Sequence, residues 1–319
     1  MRNALHPATD VNNRHRFRPF LAARAEALAY AALGCALFCA AWFLLVDVGA
    51  LWRFRFLPSL TVVVTQLFSA HPRYGISLVT GDLYAHAAIS IARVYAAFVS
   101  AVLIGGPIGI LLGWSRPLRN VLFPVVEMLR PIPPLAWVPL AVLTLSGTEL
   151  PVVFVTMLAA LFATLLNAYL GVRSIDEVYF RAAACLGYGR WQVLWRVVIP
   201  GALPTIFTGL EIAMGVAWFS LVGGELIAGK SGLGYLIFDG YTQIALPNIV
   251  IGMIVLGALG YVSSMMIRFA GRRMNPLIRS STYCDQLIPL PNSPSLGISI
   301  PASTCRFTTV ATESVRVFS

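Results

Sequence analysis

The hydrophobic positions gather into six long runs separated by short polar stretches. Runs at 27–48, 89–114, 121–146, 151–172, 205–227 and 248–267 each suit a helix crossing about 30 Å of hydrocarbon, which takes about 20 apolar residues. The run at 89–114 carries Gly105, Gly109 and Gly113 at four-residue spacing, a small-residue stripe that lets a second helix come close. Pro107 predicts a kink in it. Arg116 and Arg119 mark a short loop after it. The run at 121–146 is interrupted by Arg130, Pro131, Pro133 and Pro134 and predicts a bent or two-part element. Broken backbone survives at membrane depth only where protein or a cavity covers it. Residues 227–247, between the last two runs, are glycine-rich and too broken to span.

One polar stretch, 173–204, carries helical signals of its own. Ser174 with Glu177 fits a capping box, which predicts a short helix to about Leu186. Gly187 and Gly189 bracket Tyr188 and predict a bend, because glycine takes positive φ without steric cost. Trp191, Leu194, Trp195 and Val198 then fall at i, i+3, i+4 and i+7, one apolar stripe on a second short helix. Pro200 is expected to end that helix. The pair would have an apolar face it cannot bury alone.

Composition fits this pattern. The 319 residues are 58% hydrophobic and 11% charged, against about 25% charged in an average soluble domain. The formal net charge of +10 is almost entirely arginine, and its placement reads as topology rather than nucleic-acid binding. Cytoplasmic loops collect Lys and Arg. With the N-terminus inside, the inner segments hold Arg2, Arg14, Arg16, Arg18, Arg24, Arg116, Arg119, Arg173, Arg181, Arg190, Arg196, Arg268, Arg272, Arg273 and Arg279. The outer segments hold Arg53, Arg55, Arg73 and Lys230. Six spans with both termini cytoplasmic follow. The expected division is an N-terminal tail at 1–26 and a first span with external loop at 27–88. A core follows at 89–275, then a disordered tail rich in Ser, Thr and Pro at 276–319.

Candidate chemistry is sparse. The five cysteines and four histidines show no metal spacing, and no catalytic residue or cofactor site is assigned. Gly224-x4-Gly229-Lys230-Ser231 matches the phosphate-loop pattern, but that loop needs a strand before it, and here a membrane helix precedes it. Glu211 and Glu225 lie in or at the end of the fifth run. Each reads either as a residue at a membrane surface or as a functional intramembrane acid. Glu127 and Arg130 suit a local i, i+3 pair. Thr164, Asn167 and Ser220 suit interhelical hydrogen bonds as well as function. An intramembrane enzyme would need a buried base or metal cluster, and a secondary transporter usually shows an internal repeat; neither is evident.

The 173–204 stretch also carries a resemblance. Ala182-Ala183, Gly187 and Val197-x-Ile199-Pro200 resemble the "EAA" cytoplasmic loop of ABC-importer permeases, although Arg181 stands where that family has a glutamate. Residues 130–140 (RPIPPLAWVPL), 209–218 (GLEIAMGVAW) and 231–235 (SGLGY) resemble the nitrate/sulfonate/taurine type, with Glu211 where many members have a basic residue. The resemblance covers roughly 88–275. It implies an all-α polytopic fold, a six-helix permease of the type I importer kind, in the bacterial inner membrane. It implies no catalysis by this chain, ATP being hydrolysed by a separate cytoplasmic ATPase subunit that receives the loop at Ala182, Ala183, Gly187, Trp191, Val197, Ile199 and Pro200. It further implies a permease homodimer, a periplasmic or lipoprotein binding protein, and uptake of a small anion, with Trp137, Trp218 and Ser220 as candidates for the translocation path.

Overall fold

The computed structural model describes residues 18–48, 57–69 and 76–274. The expected tails at 1–26 and 276–319 lie wholly or mostly outside them. Among the described residues there is no strand. The chain divides into two units, 1–81 with 240–251, and 82–239 with 252–319.

The first unit contains α1 (Arg18–Phe43), which runs on as a π turn (Leu44–Val48), and α2 (Leu60–Leu67). Ser59 caps α2, accepting the Val62 N–H. Buried Gln66 of α2 donates to Asn248 at 2.9 Å, so two amides satisfy each other where water is scarce. The apolar stretch found within the first helix is Ala32–Val46, shorter than the run expected at 27–48.

The second unit holds α3 (Gly81–Trp114), α4 (Arg116–Leu129), α5 (Val138–Thr144) after a 3-10 turn (Pro134–Trp137), α6 (Glu149–Arg173) and α7 (Glu177–Cys185). There follow α8 (Arg190–Val193), a π turn (Leu194–Val198), α9 (Ile199–Ala228), α10 (Leu233–Thr242) and α11 (Leu246–Met274), α10 ending and α11 starting in the first unit. Four helical stretches among the described residues are long and apolar enough to cross a membrane, and α4 with the Pro134–Thr144 segment makes a broken fifth, bent by 86°. The six-span count is therefore reached only if the shorter first helix also crosses. The bend falls where the prolines predict it. Arg116 and Arg119 sit in the first turn of α4, not in a loop: Pro117 suits a helix start, whose missing N–H costs nothing there.

The core is a three-helix contact of α3, α6 and α9, with Val94, Phe98, Ala160, Met214, Trp218 and Leu221 buried in it. The glycine stripe of α3 lies against α6 in parallel register. A Cβ on Gly105 would meet Leu161 and Thr164, on Gly109 Leu165 and Ala168, and on Gly113 Tyr169 and Val172. α9 runs antiparallel, Gly171 of α6 facing Ala202, Asn167 facing Gly209, and Val152 facing Gly224. Close backbone approach replaces the hydrophobic driving force that lipid does not supply.

Candidate functional site

The two ends of the α3–α6–α9 bundle are built differently. At one end, α6 stops at Arg173 and only Ser174–Asp176 separate it from α7. The capping-box expectation fails here. Ser174 still belongs to the last turn of α6, its hydroxyl donating to Gly171 O at 2.9 Å. Asp176 is the cap of α7 instead, accepting the Val178 N–H at 3.0 Å. α7 ends at Gly187, whose φ of +75° places it in the left-handed region that a side chain disfavours. Tyr188 N–H bonds Ala183 O at 3.1 Å and Gly187 N–H bonds Ala184 O at 3.0 Å, the paired closure of a Schellman cap. Gly189, with φ −70°, needs no such freedom; its N–H is held by the Gln192 side chain at 3.0 Å.

Two further expectations are corrected. Pro200 does not end the second short helix. Arg190–Ala228 is one 39-residue helical stretch, and the turn at Leu194–Val198 widens so that Ile199 N–H bonds Leu194 O. That wide turn relieves the clash a proline ring makes with the carbonyl four residues back. The extra residue also rotates the preceding helix, so the expected stripe splits. Leu194 and Val198 point inward with Val193, Ala183, Val172 and Ala202. Trp191 is 69% and Trp195 65% exposed. The inward set also touches Ile110 and Trp114 of α3, the Trp114 and Phe180 rings lying 6.2 Å apart. Val197, Ile199 and Pro200 are half-buried, Ala183 is buried and Ala182 is exposed.

The opposite end holds a polar network that the sequence does not announce. Glu225, read as a surface acid or a functional one, is fully buried. It accepts from Arg93 Nη1 at 2.8 Å, from Ser90 Oγ at 2.8 Å and from the Gly234 N–H at 2.8 Å. Arg93 grips Glu149 through Nε at 2.5 Å and Nη2 at 2.6 Å, and bonds Ser231 through its carbonyl and its hydroxyl. All five guanidinium N–H groups are thereby used. Leu233 N–H reaches Ser90 Oγ at 2.8 Å and Gly232 N–H reaches His86 Nδ1 at 3.0 Å. The turn after Lys230 is thus tied to the network, but only its Gly234 N–H reaches the Glu225 carboxylate. A Cβ on Gly232 would fall on that carboxylate.

The other candidates divide. Glu211, read as a membrane-surface residue or a functional acid, pairs with Arg268 at 2.8 Å. No ion pair joins Glu127 to Arg130 among the described residues. Ser220 makes an interhelical bond to Val155 O at 3.3 Å, Asn167 bonds Ala163 O within its own helix, and the Thr164 hydroxyl has no partner among the described residues. Trp218 is buried in the core and Trp137 half-buried beside Val138 and Ala141, each with its indole N–H unpartnered. Among the described residues no His/Cys/Asp/Glu group is arranged to hold a metal ion.

Residues 105–280 match the family of binding-protein-dependent transport system inner membrane components. The chain belongs to this family. It is 38% identical over 221 residues to the taurine transport system permease protein TauC of Escherichia coli, covering 69% of this chain and 80% of that one. It is 36% identical to the bicarbonate transport system permease protein CmpB of Synechococcus elongatus, covering 57% and 66%. It is 33% identical to the nitrate import permease protein NrtB of Synechocystis, covering 56% and 66%. A structure of the MetNI methionine ABC transporter in an inward-facing conformation superposes with a TM-score of 0.51, at 20% identity, over 60% of this chain and 94% of that one. The chain is thus a multi-pass permease subunit of the ABC importer class, and ATP hydrolysis belongs to a separate subunit. Family membership also implies ATPase and substrate-binding partners.

Proposed function

We propose that this permease imports a small anion such as nitrate, an alkanesulfonate or taurine, driven by an ATPase that grips the α7–α8 end from the cytoplasm. One observation carries the reading. The Arg190–Ala228 helix is about 58 Å long at 1.5 Å per residue, while the hydrocarbon core is about 30 Å. Roughly 28 Å of it overhangs, far more than the about 6 Å of headgroup layer on each side. Arg93, Glu149 and Glu225 lie about 30–36 Å along their helices from Trp114, Arg173 and Thr205, so the overhang belongs to the α7–α8 end. Trp191 and Trp195 are exposed on the part that stands out in water. Two large aromatic faces in water mark a protein interface.

The mechanism follows from the covalent path. ATP closes the ATPase pair and displaces α7–α8. No loop separates α8 from α9, so the displacement passes through the π turn into a bundle helix. The buried contact of Val172, Ala183, Val193, Leu194, Val198 and Ala202 carries it to α6 as well. Ala182, Ala183, Gly187, Trp191, Val197, Ile199 and Pro200 form this lever, Gly187 setting its angle. Coupling requires that the ATPase bind one permease conformation better than the other. Separation of α9 from α6 would uncover Ser220 and Trp218; the unpartnered indole N–H groups of Trp218 and Trp137 are donors a passing anion would meet. Two permease copies, two ATPases and a periplasmic or lipoprotein binding protein complete the assembly, with both termini cytoplasmic as the arginines imply.

Replacing Trp191 and Trp195 together with alanine should lower ATPase affinity by roughly thirtyfold or more, as loss of buried aromatic anchors does, and abolish uptake without loss of permease from the membrane. Wild-type ATPase binding by that variant, or uptake by this chain on an ion gradient alone, would refute the reading.

A further inference from the structure

Between Val178 and Pro200 the chain carries Arg181, Arg190 and Arg196 and no acidic residue. The two acids just before it are occupied with starting α7. Asp176 accepts the Val178 N–H, and Glu177 lies in the first turn, where a carboxylate offsets the free N–H groups. Arg196 lies over the Tyr188 ring at 5.5 Å. Arg181 and Arg190 are exposed, and no ion pair reaches either among the described residues.

The position of Arg181 matters most. Ala183 is the buried residue of α7, so Val178, Arg181, Ala182 and Cys185, at i, i+3, i+4 and i+7, share the outward face. Glu177, one turn before Arg181, borders that face, and Val178, Ala182 and Cys185 make the rest of it small and apolar. A partner that covers it must also cover the guanidinium, and a covered cation without a counter-charge costs several kcal/mol. Anionic lipid is the other source of counter-charge for arginine. The length of the helix argues against it: Trp191 and Arg190 precede a 20-residue span ending at Ala228 by about 27–28 Å of helix, more than the headgroup layer is thick.

We propose that the ATPase groove receiving α7–α8 has an apolar floor and an acidic rim, and that Arg181 and Arg190 select that groove over one with basic groups at the same place. The proposal rests on the ATPase-docking reading above and adds the chemistry of the partner surface. It makes the pairing of this permease with its ATPase charge-specific, because like charges across an interface exclude wrong partners more strongly than correct pairs add affinity.

The test uses full-length permease in lipid nanodiscs with the ATPase that supports its uptake. Affinity is measured from low to high salt for the wild type, R181Q/R190Q and R181E/R190E. The wild type should weaken as salt rises. The glutamine variant should bind about tenfold more weakly at low salt and show a flatter salt dependence. The glutamate variant should bind more weakly still and recover partly at high salt. A glutamine variant with wild-type affinity and slope would overturn the acidic rim. So would an effect present in nanodiscs of anionic phospholipid and absent in neutral ones, which would assign the arginines to lipid. A wild-type permease that binds no ATPase at any salt would instead remove the docking reading itself.

Discussion

The two ends of the bundle treat their costly groups in opposite ways. At the Glu225 end the costly groups are the buried charges of Arg93 and Glu225, and each has a partner within the chain. Arg93 uses all five donors, Glu225 is fully buried yet accepts from three donors, and the turn at 231–234 is tied down through its backbone. At the α7–α8 end the costly groups are apolar, and two tryptophans have no cover. The first end pairs its buried charges within one chain; the second has the character of a half-interface. A membrane protein must satisfy its polar groups internally because lipid offers no substitute. Its spans can leave apolar faces open to lipid, but a large apolar face standing in water marks where a partner will meet it. The contrast therefore locates the partner without any knowledge of what it is.

The contrast predicts which substitutions damage the chain and which damage only the complex. The largest effect is expected at Arg93. Arg93→Met leaves Glu225 buried and unpaired, which should cost about 3–5 kcal/mol, read as a fall in thermal stability in detergent. Adding Glu225→Gln should restore much of that loss; no restoration would mean the charge pair is not the cause. Next comes the α3–α6 contact that joins the ends. Gly109→Val forces a side chain against Leu165 and Ala168 and should cost about 1–3 kcal/mol or more, seen as reduced folded yield. Gly187→Val should cost about 1–2 kcal/mol for its left-handed backbone but reduce uptake far more than stability, because it re-aims α8. Equal losses in both would argue against a lever. The smallest effect is expected at Asp176→Ala, about 1 kcal/mol for a lost helix cap, confined to hydrogen exchange in α7.

Much of this was readable from the sequence. Four of the spans, the proline break and the glycine stripe are written in hydrophobic periodicity and small-residue spacing, which the bilayer enforces locally. The positive φ at Gly187 was readable for the same local reason. What escaped involves distance or one extra residue. Arg93 and Glu225 are 132 positions apart, and no local pattern joins them. The available signal was the charges themselves, two ionisable residues inside apolar runs beside a glycine-rich turn. The split of the tryptophan stripe has no local sequence sign, because Pro200 reads as a helix stop unless a wide turn accommodates it. A proline in a helix can be accommodated by a wide turn, and one added residue splits the stripe, leaving Leu194 and Val198 buried and Trp191 and Trp195 exposed. Ser174 was misread as a cap because α6 ends later than its apolar run, leaving three residues between helices.

The most direct measurement uses Cys185, which is exposed on the outward face of α7. With Cys35, Cys39, Cys284 and Cys305 replaced by serine, the rate at which a membrane-impermeant thiol reagent modifies Cys185 is followed in inside-out vesicles. The account predicts rapid modification of the permease alone and strong protection when its ATPase is bound. Modification at the same rate with and without the ATPase, or modification only from the other side of the membrane, would contradict it.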